Sequence, residues 1–218
     1  SPPLRAWAMA WSVRARSVKG LRVKGRIPRR PHRTHRSATP PPHSTSPHSA
    51  RSATPPHSRI TRKDDPASRA IEAAEAAPFE VDVIYHGIPT SLAEAAEMSG
   101  VEPHQLQKTM VVRVGEGKYL IVLVPGDNVI DWKKLRHAVG ESRLSLAPQE
   151  EAERATGFKR GTITPFGLAK PMPVVVDESM RGERISLGAG EPGVNLVLAA
   201  DDLIGHVGAI VADISKLS

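Results

Sequence analysis

Thr109-Met-Val-Val-Arg-Val114 and Lys118-Tyr-Leu-Ile-Val-Leu-Val124 flank Gly115-Glu-Gly117, and the reading of this stretch decides the fold class. Two apolar, β-branched runs joined by a short glycine-bearing turn predict a hairpin of central strands. On the N-terminal side, residues 79–85 alternate apolar and acidic side chains as a half-buried strand does. On the C-terminal side, short strands are expected around residues 174–176, 184–187, 194–198 and 209–212. Helices fill the gaps. Asp65-Pro66 opens an alanine-rich run that Pro78 closes. Ser91-Leu-Ala-Glu94 is a capping box ahead of a helix stopping at Gly100. Asp131 caps residues 132–139, Gly157 ends residues 148–155, and Asp201-Asp202 is expected to cap a helix from Ala200. Strands outnumber helices and hairpins dominate. The expected class is therefore α+β, with a mixed, largely antiparallel sheet or barrel-like core flanked by helices.

Charge divides the chain. Residues 1–63 hold 15 Lys and Arg with no acid, whereas residues 64–218 hold 15 against 23 Asp and Glu, which gives +15 and −8. Half of the 20 prolines also precede Asp64, and Arg36-Ser-Ala-Thr-Pro-Pro-Pro-His-Ser44 recurs in shorter form at Arg51-Ser-Ala-Thr-Pro-Pro-His-Ser58. Such a stretch has too little apolar periodicity to offset chain entropy, so residues 1–63 are expected to be a disordered basic Pro/Ser/Arg-rich arm. Upstream translation, a nucleic-acid-attracting tail and a targeting segment all remain open for it. Residues 64–218 suit one domain. The chain lacks cysteine, which excludes disulfides and thiolate chemistry and fits a reducing cytoplasm. No apolar run approaches the roughly 20 residues that span a bilayer, so no membrane association is expected.

Common catalytic signatures are absent: there is no P-loop, nucleophile elbow, H-E-x-x-H or dinucleotide fingerprint. His86, His104, His137 and His206 lack metal-ligand spacing, and no metal or cofactor is expected. What remains is Gln107-Lys108-Thr109, then Gly157-Phe-Lys-Arg-Gly-Thr-Ile-Thr-Pro-Phe-Gly167, then Gly188-Ala-Gly-Glu-Pro-Gly193. One cation facing two glycine-rich bends suggests exposed backbone amides beside a lysine, able to hold a phosphate or polarise a carbonyl. Each piece also has a plain reading, as a solvated lysine or an ordinary turn.

In order and separation, these pieces resemble the YbaK/ProX/EbsC-type aminoacyl-tRNA editing domain, which also occurs inserted in bacterial prolyl-tRNA synthetases. The resemblance spans residues 81–214. It is carried by Ser91-Leu-Ala-Glu-Ala-Ala96, Gln107-Lys-Thr-Met-Val-Val112, Leu123-Val-Pro-Gly-Asp127, the two glycine stretches, and Ala199-Ala-Asp-Asp-Leu203. It implies hydrolysis, acting in trans, of the ester on mischarged tRNA, typically proline tRNA carrying alanine or cysteine. It also implies Lys108 as the required lysine, with the amides near Gly161 and Thr162 facing the developing oxyanion. Tyr85, His86, Thr109, Thr164, Pro165, Gly188, Gly190 and Asn195 would hold the substrate. The implied partners are the tRNA acceptor end and prolyl-tRNA synthetase. A non-catalytic module of the same fold, binding tRNA or a synthetase, is the competing expectation. Many relatives have two glycines where this chain has Gly161-Thr162, and some have an acid near Asn195.

Overall fold

The computed structural model describes residues 65–218; the arm expected over residues 1–63 lies outside the described residues. The chain runs α1 (Pro66–Glu75), β1 (Val81–Tyr85), α2 (Leu92–Met98), β2 (Gln107–Gly115), β3 (Lys118–Pro125), β4 (Asn128–Ile130), α3 (Trp132–Val139), β5 (Ser145–Leu146), α4 (Gln149–Thr156), β6 (Val174–Asp177), β7 (Arg184–Gly188), β8 (Val194–Ala199), α5 (Ala200–Val207), β9 (Ile210–Ala212) and β10 (Ser215–Leu217). Short 3-10 turns occupy Pro103–Gln105 and Glu178–Met180.

The hairpin forms as predicted, slightly longer at both ends, with Thr109 opposite Leu123 and Val111 opposite Ile121. It lies inside a five-stranded sheet ordered β5-β2-β3-β6-β9. There β3, β6 and β9 run parallel, whereas β2 pairs antiparallel with both β3 and β5. A second sheet, β1-β8-β7, is antiparallel throughout, and β10 pairs with β4. An isolated bridge from Leu106 to Ser186 ties the two larger sheets together.

The hairpin is central because both of its faces are buried. Successive strand residues point to opposite faces. Val111, Ile121 and Leu123 enter a core shared with Ile185, Leu187 and Leu196 of the second sheet and with α1 and α5. Val112, Leu120, Val122 and Val124 enter a second core, closed by Leu135 and Val139 of α3. Burying one such side chain fully is worth about 1.5–3 kcal/mol, so the hairpin fixes the positions of everything attached to its ends.

Helix capping follows the sequence with two changes. Asp131 accepts from the Lys133 and Lys134 amides at 3.0 and 3.2 Å, and α3 ends at Gly140, whose φ is 72°. Ser91 accepts from the Glu94 amide at 3.1 Å, but the Glu94 carboxylate turns to the Thr90 amide and hydroxyl, each at 2.6 Å, instead of closing the box on Ser91. Thr90 presents two donors to one carboxylate oxygen, and these outcompete the single amide of Ser91. Asp201 is not a cap either. It lies in the first turn of α5 and accepts from the Gly182 amide at 3.1 Å, so it fastens the turn before β7 instead. Strands β4, β5 and β10, each three residues or fewer, carry too little pattern to be read from sequence.

Candidate active site

Strand β5 covers β2 only at Val112 and Arg113. The remaining outer edge of β2, from Gln107 to Val111, borders a cavity of about 900 Å³. Opposite that edge stand the Arg160–Ile163 turn, the end of β7 with Leu187 and Gly188, and His86 and Asn195. Thus Lys108, Thr109, Gly161, Thr162, His86, Gly188 and Asn195, separated by up to 109 positions in the sequence, share one cavity. Four other expected site residues do not line it. Tyr85 is 68% exposed on the outside of β1. Thr164 is fully buried and accepts from the Phe166 amide at 3.4 Å, with Pro165 buried beside it. Gly190 turns away toward α1. Those three residues support the loops instead of bordering the cavity.

The glycines have a different use from the one their sequence suggests. A Cβ on Gly157 would lie 2.5 Å from the Arg69 guanidinium, and one on Gly167 would lie 2.6 Å from the Arg69 carbonyl oxygen. On Gly190 it would meet the Pro66 carbonyl oxygen at 2.6 Å, and on Gly188 the Thr162 backbone at 3.1 Å. These glycines let chain pack on chain. Gly161 alone among them has open space around its would-be Cβ, at φ 87°. Helix α1 is the surface that Gly157, Gly167 and Gly190 pack on. Arg69 donates from Nε to the Gly167 carbonyl at 2.7 Å and from Nη2 to the Gly157 carbonyl at 3.1 Å, while its guanidinium lies 4.9 Å from the Phe158 ring centre. One arginine therefore ties both ends of the loop that carries Gly161. No sequence signal points to this role, because Arg69 lies 88 residues before Gly157 and such a pairing leaves no trace in one dimension.

Amide availability differs between the two residues expected to face an oxyanion. The Thr162 amide donates to the Lys159 carbonyl at 3.1 Å, and its hydroxyl to the same oxygen at 2.9 Å. The Thr162 carbonyl in turn accepts from the Gly190 amide at 2.9 Å. Thr162 is thus committed to holding the turn, contrary to the expectation that its amide faces the substrate. Gly161, directly before it, keeps an amide with no acceptor among the described residues.

Lys108 and Asn195 supply the remaining polarity. Burial holds the Lys108 ammonium below the ordinary lysine range, while the Asp127 carboxylate pulls it partly back. Asn195 donates from Nδ2 to Ser99 Oγ at 2.8 Å and to Ser186 Oγ at 3.2 Å. Because the Ser99 hydroxyl gives its hydrogen to the Ala95 carbonyl at 2.8 Å, it can only accept from Asn195, which fixes the amide orientation. Among the described residues, no three His, Asp or Glu side chains gather in a metal-binding group, and no helix is long and apolar enough to cross a membrane.

Comparison with known proteins converges on this same segment. The profile of the aminoacyl-tRNA editing domain matches residues 87–205. EbsC of Enterococcus faecalis, named as a candidate Cys-tRNA(Pro)/Cys-tRNA(Cys) deacylase, is 25% identical over 156 residues, covering 71% of this chain and 95% of that protein. The proline–tRNA ligase of Shouchella clausii is 36% identical over 105 residues, which are 48% of this chain and only 18% of the ligase. A crystal structure of a candidate trans-editing enzyme for prolyl tRNA synthetase superposes with a TM-score of 0.62 at 32% identity, over 69% of this chain and 96% of that one. The profile spans more than half of the chain and includes Lys108, Gly161 and Asn195 of one cavity, and the chain accordingly belongs to the aminoacyl-tRNA editing domain family.

Proposed function

We propose that this protein is an aminoacyl-tRNA deacylase of the cytoplasm, which hydrolyses in trans the ester of proline tRNA mischarged with alanine or cysteine. The observation that carries this reading is a partly desolvated lysine and an uncommitted glycine amide bordering one cavity. An aminoacyl ester is already activated, so positioning, water and carbonyl polarisation suffice and a protein nucleophile is unnecessary. Lys108 holds the terminal phosphate or the ester region of the acceptor end. The Gly161 amide faces the oxygen on which negative charge develops. Water adds to the carbonyl carbon, the bond from that carbon to the ribose oxygen breaks, and the ribose oxygen takes up a proton through water or the neighbouring hydroxyl. Free tRNA and the amino acid result.

Editing supplies a second sieve, because a synthetase rejects small side chains poorly while an editing pocket can admit them. The partner is the tRNA acceptor end, delivered from prolyl-tRNA synthetase. The test is hydrolysis of alanyl-, cysteinyl-, seryl- and prolyl-tRNA for proline by the full chain and by Lys108→Ala. Turnover of a mischarged species that disappears in the variant supports the reading. A folded protein that turns over none of them supports a binding module instead.

A further inference from the structure

RNA is a polyanion, yet residues 64–218 hold 15 Lys and Arg against 23 Asp and Glu. For such a domain to hold an RNA backbone, its cations must be concentrated on one surface. Among the described residues, helix α3 is where they concentrate. Lys133, Lys134 and Arg136 stand within its eight residues with no acid, whereas each of the other four helices carries more acids than Lys and Arg. Leu135 and Val139 turn the opposite side of α3 into the core.

Neighbouring acids do not neutralise this face. Asp131 directs its carboxylate to the Lys133 and Lys134 amides, and Asp213 accepts from Lys134 Nζ at 2.7 Å. Lys134 also donates to the Ser215 carbonyl at 3.2 Å, so it fastens α3 to β10. Lys133 and Arg136 take part in no ion pair among the described residues. They lie three positions apart on the helix, which puts them on one stripe of its surface. Lys133 is exposed and Arg136 half-buried. Lys216 of β10, exposed and paired with Val129 two residues before Asp131, adds another cation.

The sheet sets this face beside the cavity. Directly paired residues of antiparallel strands share a face, and Lys108 pairs with Val124, whose side chain enters the core closed by Leu135 and Val139. Lys108 and α3 therefore stand on the same side of the hairpin. Only β4 and Asp131 separate α3 from Asp127, whose carboxylate acts on the Lys108 ammonium. A strand of phosphates leaving the cavity past Lys108 on this side meets Lys133 and Arg136 next.

We propose that the face formed by Lys133, Arg136 and Lys216 receives backbone phosphates of the acceptor stem, the double-stranded part of the substrate that stays outside the cavity. This inference rests on the deacylase reading. Phosphate contacts position a substrate without reading its sequence, so the face governs KM and salt dependence and leaves bond breaking alone. The test measures kcat/KM from about 50 to about 200 mM salt on alanyl-tRNA for proline and on 3′-alanyl-adenosine, which keeps the ester and lacks the stem. Wild type is compared with Lys133→Gln/Arg136→Gln and with Lys118→Glu, which changes the net charge by the same amount at the exposed start of β3. For the double variant on alanyl-tRNA, the slope of log kcat/KM against log salt is shallower by about 2, one for each cation removed. The same rise in salt then slows it about tenfold less than wild type. Its hydrolysis of 3′-alanyl-adenosine is unchanged, and Lys118→Glu matches wild type on both esters. An unchanged slope, an equal change in Lys118→Glu, or equal slowing of both esters overturns the inference and leaves the deacylase reading intact. Turnover of neither ester by the wild-type chain overturns the reading and the inference with it.

Discussion

Two regions of this molecule bury polar side chains, and they treat them in opposite ways. At Asp177, at the end of β6, the carboxylate accepts from the Ser179 amide at 3.1 Å, from the Ser179 hydroxyl at 2.5 Å and from the Ile214 amide at 3.2 Å. Burial there pushes its pKa up, but these hydrogen bonds outweigh burial and hold the carboxyl below the ordinary aspartate range. At the open edge of β2, Gln107, Thr109 and His86 keep atoms with no protein partner, and burial depresses the Lys108 ammonium. Satisfied polarity stabilises a fold; unsatisfied polarity costs it stability.

The largest expected effect breaks the comparison on the substrate side. Lys108→Ala lowers the single-turnover rate on mischarged tRNA by about 100-fold or more, the scale of losing one charge-stabilising contact. Its melting temperature stays the same or rises. The sign follows from linkage: the folded state holds the Lys108 proton less tightly than the unfolded chain, so the charged lysine costs stability at neutral pH. A variant that melts well below wild type would mean that Lys108 is structural.

Asp177→Ala tests the other side. It lowers unfolding stability by about 2–3 kcal/mol in urea titrations, because three donors lose their acceptor, while turnover per folded molecule is kept. In the wild-type protein the Asp177 contribution is complete above about pH 3.9, the ordinary aspartate value, and is lost as pH falls through the lower folded value. An acid melt of Asp177→Asn that matches wild type would remove this assignment.

Arg69→Lys is expected to behave as neither extreme. A lysine cannot donate in two directions from a planar fork, so the loop ends at Gly157 and Gly167 loosen, turnover falls about tenfold by misplacing the Gly161 amide, and stability drops by about 1 kcal/mol. Equal activity of this variant and wild type would show that the loop holds its shape without α1. The smallest effect is the pH dependence. If the charged ammonium acts, turnover declines as pH rises through a Lys108 value below the ordinary lysine 10.4. A profile flat to that ordinary value would break the link between burial and function.

Much of the fold was legible because its strongest signals are local. The hairpin needs only its two apolar runs and Gly115-Glu-Gly117, and the Asp131 cap and the stop at Gly157 are decided within one turn of helix. Strands β4 and β10 were not legible, since their pairing of Asn128–Ile130 with Ser215–Leu217 depends on segments some 85 residues apart. In the candidate site, motif order singled out Lys108 and Gly161, and both line one cavity. The part played by Thr162 was misread, because whether an amide is free depends on the Lys159 carbonyl, a matter of turn geometry and not of residue type.

The sequence by itself determined the class of the fold and the family, and it singled out Lys108 as a candidate, because apolar period, capping chemistry and motif order are properties of neighbours along the chain. Only the tertiary structure decided which glycines pack against α1 and which one leaves its amide open, that Arg69 ties the loop, and that Gln107 keeps an acceptor without a protein partner. Those are outcomes of steric approach and hydrogen-bond accounting between segments far apart in the chain, and such accounting closes only when every partner has its place.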